Sequence, residues 1–357
     1  MPLIKLDIHT LRNIDALNLA PVKGLNFLVG ANASGKSSIL EALFILSRSR
    51  SFRTNHLKQA IQFNQAQLVV SALKQHSNGS LSTLGISANH KETTIRIDQE
   101  AKLRADLAYS LPVQLIQPKS YQLLDAGPQF RREFIDWGVF NQQSQFLPNW
   151  RCFNKALQQR NALLKSKNSS ALFAWDKEFT VYGQAVNQYR EHYMQALQPV
   201  FLNLAKHFLE CEAVELVFYP GWDDQYTLEN VLEIDKERDL KYGFTHNGPH
   251  RSDFITHVNA RPAKDYLSRG QQKLLMLALL LAQVSLMNRH NPNQSLILID
   301  DLSAELDLEN KAKLIKYLDE LGCQVFITAT GLEELGDLSM ISQYQVFHVK
   351  QGSVENR

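Results

Sequence analysis

Apolar and polar residues alternate near the start of the chain, which is the pattern of a half-buried β-strand. Ile4, Leu6 and Ile8 share one face, and polar residues separate them. Further apolar segments bounded by turn-forming residues predict the strands 25–29, 67–73 and 93–97, with a hairpin turn at 89–91. One amphipathic helix is predicted among them, at 37–48.

The middle of the chain changes to helical periodicity. From Phe146 to Leu164 apolar side chains recur every three or four residues, and the same spacing continues from Leu172 to Phe208. This spacing predicts two helices in an antiparallel hairpin, the second roughly 55 Å long at about 1.5 Å per residue. Such an apolar stripe is typical of core packing, so no cofactor is assigned to it.

The last hundred residues return to an alternation of helices and strands. We predict helices at 267–287 and 311–321, and buried strands at 295–299 and 324–328. Together with the strands near the start, this alternation predicts an α/β fold interrupted by a helical segment.

Composition and charge exclude some classes of protein. With 357 residues, 44% hydrophobic and 21% charged, the chain is expected to form one large or two moderate domains, and wholesale disorder is excluded. The net charge of +2 neither requires nor excludes nucleic acid, so a DNA-binding argument depends on local patches. The three cysteines lack C-x-x-C spacing and therefore predict neither a disulfide framework nor a zinc site.

Nothing in the sequence predicts a membrane span. The longest apolar run, 274–286, contains Gln283 and Ser285 and is shorter than the roughly 20 residues that a span needs. The first ten residues lack the pattern of a signal peptide. We therefore expect a cytoplasmic protein without a membrane partner.

One loop carries a phosphate-binding motif. Its residues fit G-x-x-x-x-G-K-[ST], and they follow an apolar strand and open a helix, as this motif requires. The candidate nucleotide-binding residues are Gly30, Ala31, Asn32, Ala33, Ser34, Gly35, Lys36, Ser37 and the following Ser38. The glycines let backbone N–H groups converge on phosphate oxygens, Lys36 reaches the β- and γ-phosphates, and Ser37 can ligate Mg²⁺. The motif predicts a site for ATP or GTP.

A second, acidic element agrees with this motif. The buried strand 296–299 ends in Asp300 and Asp301. In P-loop enzymes such a strand lies beside the P-loop strand, so Asp300 is expected to hold the Mg²⁺ shell. Asp301 is then placed to orient or deprotonate the attacking water, although an Asp pair also occurs as a turn or a helix cap. Lys36, Asp300 and Asp301 are the candidate catalytic residues.

A third element lies about thirty residues before Asp300, at the start of a long apolar helix. It consists of Ser268, Arg269, Gly270 and Gln271. Alone it reads as an ordinary helix cap. Its position between the P-loop and the acidic strand resembles an ABC-type signature, which completes the γ-phosphate site of a second subunit. Residues 303–307 likewise resemble the ABC loop that crosses the dimer interface.

Stretches along most of the chain resemble the RecF family of bacterial recombination-mediator ATPases, which is related to SMC-type heads. Besides the P-loop and the signature, the stretches are Leu11-Arg12-Asn13, Arg50-Ser51-Phe52-Arg53-Thr54, Arg131-Arg132-Glu133-Phe134-Ile135-Asp136-Trp137-Gly138 and Gly248-Pro249-His250-Arg251. The resemblance implies a protein that binds ATP and Mg²⁺, forms a homodimer around the nucleotide and hydrolyses it slowly. It also implies DNA binding at gaps or at junctions of single-stranded and duplex DNA, with RecO and RecR as partners in RecA loading.

The resemblance implies a fold class and a domain division. We expect an α/β fold, a P-loop ABC-type ATPase head with a mixed sheet flanked by helices. Residues 1–119 and 246–357 are predicted to form this head, and residues 120–245 an inserted, mainly helical arm. Such an arm is too short for the long coiled coil of SMC proteins.

The sequence departs from the wider ABC pattern at three places. Arg269 stands where transporters usually have Gly, and Asp301 stands where a Glu is usual. The strand at 324–328 continues into Ala329 and Thr330, without a histidine in the switch position. The last two departures predict a slow switch. Gln117, after an apolar segment, is either a glutamine that senses Mg²⁺ and water or a surface loop residue.

A basic patch follows the P-loop helix and lacks acidic residues. Its candidate DNA-binding residues are Arg48, Arg50, Arg53 and Lys58. Such a patch neutralises phosphates without reading sequence, but a solvated charged face has the same composition. For Arg131 and Arg132, pairing with Asp136 or Glu133 inside the head is an equal alternative to DNA contact, so we do not assign them to DNA. For Arg251 we keep the hypothesis of a place near the nucleotide.

Three other functions fit parts of the sequence. The chief alternative is an ABC subunit that energises a membrane transporter, against which the helical insertion and the missing switch histidine argue. An ATPase head fused to a nuclease of the OLD type would need more than the roughly fifty residues after Asp307. A non-catalytic head would bind nucleotide without turnover.

Overall fold

The computed structural model describes residues 2–168, 171–209, 213–290, 295–301 and 306–355. By internal packing the chain divides into two compact units. The first unit comprises residues 1–120 and 287–357, and the second comprises residues 121–286. Residues 303–305 of the loop that resembles the ABC interface loop lie outside the described residues.

The strands of the described chain are, in order, β1 (Leu3–Leu11), β2 (Ile14–Leu19), β3 (Leu25–Val29), β4 (Gln67–Gln75), β5 (Leu81–Asn89), β6 (Thr93–Ile97), β7 (Glu100–Ala101), β8 (Val113–Ile116), β9 (Val214–Tyr219), β10 (Asp253–Val258), β11 (Arg261–Pro262), β12 (Leu296–Ile299), β13 (Gln324–Ala329), β14 (Tyr344–Lys350) and β15 (Ser353–Glu355). The α-helices are α1 (Lys36–Arg48), α2 (Arg104–Ser110), α3 (Gln122–Asp125), α4 (Pro128–Gln142), α5 (Phe146–Lys165), α6 (Leu172–Leu209), α7 (Leu228–Ile234), α8 (Lys236–Tyr242), α9 (Ala263–Tyr266), α10 (Arg269–His290) and α11 (Leu308–Leu321). Short 3₁₀ helices lie at Leu57–Ala60, Pro118–Tyr121, Pro249–Arg251 and Leu332–Leu335.

One sheet of the first unit has the strand order β15-β14-β3-β13-β12-β8. Its strands pair in parallel, except for the antiparallel edge pair β14–β15. β3, β12 and β13 are buried at every position. Burial on both faces explains why these strands lack alternation in the sequence and read as continuous apolar runs.

The other sheet of the first unit is antiparallel, with the order β2-β1-β4-β5-β6-β7. β4 alternates buried and partly exposed residues, as expected of a sheet with one face against the core. The helix α1 packs against strands of both sheets, and its residues 38–47 are all buried. The core of the unit is therefore continuous from one sheet through α1 to the other.

The second unit is mainly helical. α5 and α6 form the predicted antiparallel pair, since Phe146 meets Tyr189 and Phe153 meets Phe179, with ring centroids 6.1 and 5.2 Å apart. A small antiparallel sheet has the order β11-β10-β9. Gly138 in α4 lets α6 approach, because a Cβ there would lie 2.1 Å from the ring of Tyr193.

The apolar helix α10 is a core element. By length and composition, residues 269–289 would suffice to cross a membrane, but 72% of the apolar stretch is buried within the protein. The buried Gln283 of this helix is satisfied internally, because its amide donates hydrogen bonds to the Phe134 carbonyl at 2.9 Å and to the Tyr193 hydroxyl at 3.0 Å. The expectation that the apolar run is too short for a span does not hold for the whole helix, whose length and composition would suffice; its burial is what marks it as a core helix.

Packing divides the chain differently from the sequence-based division into head and arm. Residues 246–286, which were expected in the head, pack in the second unit. The reason is that β10 pairs with β9 along six residues and that Gln283 is bonded to α4 and α6. The functional boundaries of head and arm remain a prediction.

Candidate nucleotide-binding site

The parallel sheet brings the predicted site residues to one edge. The acidic strand β12 does not lie directly beside the P-loop strand β3, as was expected, because β13 separates them in the order β3-β13-β12-β8. The carboxyl ends of these four parallel strands still lie at the same edge of the sheet. Gly30, Thr330, Asp300 and Gln117 directly follow these four strands. The P-loop and the acidic pair therefore meet, although Lys36 and Asp300 are far apart in the sequence.

The P-loop has the backbone that its glycines allow. Gly35, the residue before α1, has φ of 117°, where a side chain is strained. Gly30 is required by close packing, because a Cβ there would lie 2.2 Å from the Val349 carbonyl oxygen. The turn between β14 and β15 also contacts the loop, because the Gly352 N–H donates a hydrogen bond to the Ser34 carbonyl at 2.7 Å.

Lys36 spans the loop that precedes it. Its Nζ donates to the carbonyl oxygens of Gly30 at 2.6 Å and Ala31 at 2.8 Å. Burial lowers the pKa of Lys36, and the nearby carboxylates of Asp301 and Asp300 oppose that shift. The ammonium is thus positioned at the loop whose backbone would cradle phosphates.

Ser37 and Asp300 form the contact expected of a magnesium site. The Ser37 hydroxyl donates to Asp300 Oδ1 at 2.8 Å, and the Thr328 hydroxyl donates to the same oxygen at 3.0 Å. Burial raises the pKa of Asp300, which the two hydroxyl donors partly offset. Hydroxyl and carboxylate oxygens are hard ligands that suit Mg²⁺, which also keeps waters and phosphate oxygens in its shell. The residues present therefore fit the ion.

Asp301 lies beside this pair in a left-handed backbone conformation, with φ of 55°. Its N–H donates to the Thr328 hydroxyl at 2.7 Å, which fixes the turn after β12. Asp301 is exposed and lines the same cavity as the P-loop, so its carboxylate can reach a water there. Its role as the general base stays a prediction.

The site is an open cavity of about 620 Å³. The P-loop, both aspartates and residues from four further segments line it. These further residues are Arg12, Asn13, Arg53, Pro118, Thr328, Ala329 and Thr330. A cavity of this size falls within the range of small-ligand and cofactor sites.

Two of the family-like stretches meet at a buried carboxylate of α1. Glu41 is fully buried and accepts two bonds from Arg12, from Nε at 2.9 Å and from Nη2 at 2.8 Å. The Ser51 hydroxyl also donates to Glu41, and Arg53 Nη1 lies 3.5 Å from it. Glu41 thus holds two arginines that line the cavity.

The stretch Leu11-Arg12-Asn13 forms the turn of the β1–β2 hairpin, since Leu11 pairs with Ile14. Arg12 adopts a left-handed conformation with φ of 55°. Asn13 faces α1, where its Oδ1 accepts from the Ser38 hydroxyl at 3.0 Å. The hairpin therefore braces the helix that carries Lys36 and Ser37.

Comparison with known proteins agrees with this geometry. A family model described as the RecF/RecN/SMC N terminal domain matches residues 2–355. The DNA replication and repair proteins RecF of Pseudomonas paraeruginosa PA7 and Pseudomonas entomophila L48 are each 40% identical over 359 residues. The alignments cover 99% of this chain and 97% and 98% of those proteins. This chain belongs to the RecF family.

Solved structures show the same fold. A structure described as the recombination mediator protein RecF-ATP in the RecFOR pathway matches with a TM-score of 0.88 at 24% identity, covering 99% of this chain and 97% of that one. The Smc head domain of Pyrococcus furiosus, bound to the C-terminal domain of ScpA, matches with a TM-score of 0.58 at 13% identity, covering 99% and 95%. The predicted ABC-type ATPase fold is thereby confirmed.

The RecF-like signature lies at the exposed start of α10. Ser268 and Gln271 form a reciprocal cap: the Gln271 N–H donates to the Ser268 hydroxyl at 3.3 Å, and the Ser268 N–H to Gln271 Oε1 at 3.0 Å. Ser268, Arg269, Gly270 and Gln271 are all exposed. Among the residues that the structure describes, no atom lies within 4 Å of a Cβ built on Gly270, so packing against them does not require the glycine.

Gln117 lies at the predicted sheet edge but is not part of the cavity wall, which Pro118 completes. The carbonyl of the preceding residue, Ile116, accepts from the Asp300 N–H at 2.9 Å. The Gln117 N–H donates to the Ser120 hydroxyl at 3.0 Å. Its role as a sensor of Mg²⁺ and water stays a prediction.

The four candidate DNA-binding residues have different surroundings. Arg50 and Lys58 are exposed. Arg48 donates to the Val113 carbonyl at 3.3 Å and lies over the Phe44 ring, which suits a structural role. Arg53 is also exposed, but it lines the nucleotide cavity beside Glu41. DNA binding by this patch stays a prediction.

The two other family stretches are held together by ion pairs that the sequence did not predict. Arg131 pairs with Asp253 through two bonds of 2.6 and 2.8 Å, not with Glu133 or Asp136. Asp136 instead accepts two bonds from Arg190, whose Nη1 also donates to the Pro249 carbonyl at 2.6 Å. Asp136 and the Gly248–Arg251 turn are thus joined through one buried arginine.

Sequence reasoning missed three residues of the site. It gave no site role to Arg12 or Glu41 and did not recognise Thr328 as a partner of Asp300. A usable signal for Glu41 was present, since it is a lone carboxylate among apolar residues of the P-loop helix. Thr328 offered no such signal, because a threonine in a buried strand is ordinary.

Proposed function

We propose that this chain is an ATP-dependent DNA-binding switch of recombinational repair that hydrolyses ATP slowly. The observation that carries the proposal is the hydrogen bond between Ser37 and Asp300 beside the P-loop. This bond brings together two oxygen atoms that could serve as ligands of a magnesium–nucleotide complex, which supports the proposal. The RecF relatives named for DNA replication and repair, and the RecF structure described with ATP, support the assignment.

Each residue of the site has a part in the proposed reaction. The P-loop N–H groups and Lys36 bind the phosphates, and Ser37 and Asp300 would hold Mg²⁺. When bound, Mg²⁺ neutralises negative charge on the β- and γ-phosphates. Asp301 orients the attacking water and accepts its proton. Its side chain is one methylene shorter than the usual glutamate, so the base is farther from the water and turnover is slow.

A second copy of the chain would complete the site. The signature is exposed, and Gly270 has open space around its Cβ position. Packing against the described residues of its own chain does not require this glycine. At the N-terminus of a long helix, a glycine allows close approach to a phosphate of the ATP that another subunit holds. We propose that ATP held by one subunit is capped by Ser268 and Gly270 of the other, so that ATP promotes dimerisation.

The proposed dimer acts on DNA in the cytoplasm. The expected substrates are duplex DNA, gaps and junctions of single-stranded and duplex DNA, and the expected partners are RecO and RecR during loading of RecA. ATP can favour the DNA-bound dimer only if it binds this dimer more tightly than it binds the state with weaker DNA affinity. Hydrolysis then returns the protein to the state with weaker DNA affinity.

The deciding experiment measures ATP hydrolysis without DNA and with single-stranded, duplex and gapped DNA at fixed salt. We expect duplex or gapped DNA to stimulate turnover, and Lys36→Met to abolish it in every condition. Sedimentation with and without ATP tests the dimer, and Ser268→Arg should weaken ATP-dependent association. Turnover indifferent to every DNA, together with a dimer population indifferent to ATP, would refute the switch.

A further inference from the structure

A cluster of aromatic rings lies in the second unit, at the end of α8 and in the residues after it. Tyr242 and Phe244 are 58% and 38% exposed. The Phe244 ring stacks on His246 with centroids 4.2 Å apart, and Tyr242 meets the edge of His246 at 5.3 Å. We call these three residues the aromatic platform. Large rings left this exposed do little for the core and are characteristic of binding surfaces.

The platform is rigidly supported from below. His246 Nδ1 lies 2.7 Å from Asp239 Oδ1, and Asp239 Oδ2 accepts from the buried Arg160 at 2.7 Å. Between the two exposed rings, Gly243 ends α8 in a left-handed conformation with φ of 77°. A surface fixed in advance loses little conformational entropy when a ligand binds.

Three cationic residues lie close to the platform. Lys241 Nζ lies 5.5 Å from the Tyr242 ring centroid, and Arg251 Cζ lies 5.8 Å from that of Phe244. Lys165, at the end of α5, is a third exposed cation, and its Cα would be 3.4 Å from a Cβ on Gly243. The sequence has no acidic residue from 240 to 251, and the preceding Asp239 is fully buried.

We propose that the aromatic platform binds a single-stranded segment of DNA. Unpaired bases would stack on Tyr242 and Phe244, while Lys241, Arg251 and Lys165 neutralise the neighbouring phosphates. Rings and cations on one surface are the combination that recognises single strands, whereas the bases of a duplex are stacked on each other and unavailable. A protein partner could also bury the aromatic rings, but binding a protein does not in general require three cations beside them, whereas binding phosphates does. The inference rests on the proposed DNA-binding function and assigns one surface to it.

The test is a titration of fluorescein-labelled dT20, followed by anisotropy, with a blunt duplex in parallel. We expect Phe244→Ala to weaken dT20 binding on the order of tenfold and to leave duplex binding nearly unchanged. Phe244→Trp should retain the affinity, and Lys241→Ala should reduce the salt slope of log K by about 0.7. Phe173→Ala is the matched control, because Phe173 is 80% exposed in the same unit but outside the platform.

The outcomes are distinguishable. Equal dT20 affinity for the wild type and Phe244→Ala, with both folded by thermal unfolding, would overturn the inference and leave the proposed function intact. Equal losses for dT20 and duplex would overturn the single-strand assignment. Unchanged DNA affinity with weakened self-association would identify the platform as a protein interface. A wild-type protein that binds no DNA would overturn both the inference and the proposed function.

Discussion

The buried carboxylate of Glu41 offers the sharpest test of the site. Glu41→Gln removes the negative charge but preserves the size of the side chain. In the wild type this negative charge balances the positive charge of Arg12, whose side chain is 25% exposed. It also partly balances the charge of Arg53, whose side chain is 47% exposed. The substitution therefore leaves two cations at the cavity without their shared partner.

The expected loss follows from the burial of the three groups. Breaking a buried ion pair by removing one partner costs about 3–5 kcal/mol. Because Arg12 and Arg53 are partly exposed, water can compensate their charges, and the amide oxygen of the glutamine can still accept a hydrogen bond. We therefore expect the free energy of unfolding to fall by about 2–3 kcal/mol. For a unit of this size, that loss lowers Tm by roughly 5–10 °C. Nucleotide affinity should fall as well, because both arginines line the cavity.

Calorimetric unfolding with and without a slowly hydrolysed ATP analogue measures both effects. Glu100→Gln is a matched control, since Glu100 pairs with Lys102 at 2.7 Å but is exposed at the surface. It should leave both Tm and nucleotide affinity unchanged. If Glu41→Gln unfolded at the wild-type temperature and bound the analogue equally well, the positioning role of Glu41 would be refuted.

Three further substitutions test other parts of the structure. Gly270→Ala should leave the monomer as stable or slightly more stable, because its Cβ meets no atom of the described residues, yet weaken ATP-dependent dimerisation in sedimentation. Asp300→Asn should raise the Tm of the nucleotide-free protein at neutral pH, because burial raises the pKa of Asp300 and the buried ionised carboxylate destabilises the folded state. This gain in Tm should fade as the pH falls, because Asp300 of the wild type then becomes protonated. Burial lowers the pKa of His250 to about 4, so its stabilising contribution is complete above pH ~6.5 and is lost towards pH 4. The unfolding free energy should therefore fall by about 3 kcal/mol over this range, and His250→Gln should remove that dependence in denaturant titrations at each pH.

Local patterns predicted several of the helices and strands closely. The helix expected at 37–48 extends from Lys36 to Arg48, and the strand expected at 93–97 has those bounds. The long helix of the middle segment runs from Leu172 to Leu209. Periodicity suffices for such elements because each is set by which face of a short segment is buried.

Pairings between distant segments were not available from the sequence. The place of residues 246–286 in the second unit depends on β10 pairing with β9, and the sequence of neither strand identifies the other as its partner. The ion pairs of Arg131 with Asp253 and of Arg190 with Asp136 likewise join residues 122 and 54 positions apart. The alternative that Arg131 pairs with a near neighbour in sequence was wrong, because charge pairing in a folded chain follows packing.

The sequence by itself determined the chemistry of this protein. The P-loop, the acidic pair and the signature are recognisable because phosphate binding requires those residue types at a fixed local spacing. Only the tertiary structure decided how they are combined. The register of the parallel strands brings Asp300 to Ser37 across 263 positions, and the fold buries Glu41 between Arg12 and the Ser51–Arg53 loop. Such contacts depend on which strands become neighbours, a property that no short segment of the chain contains.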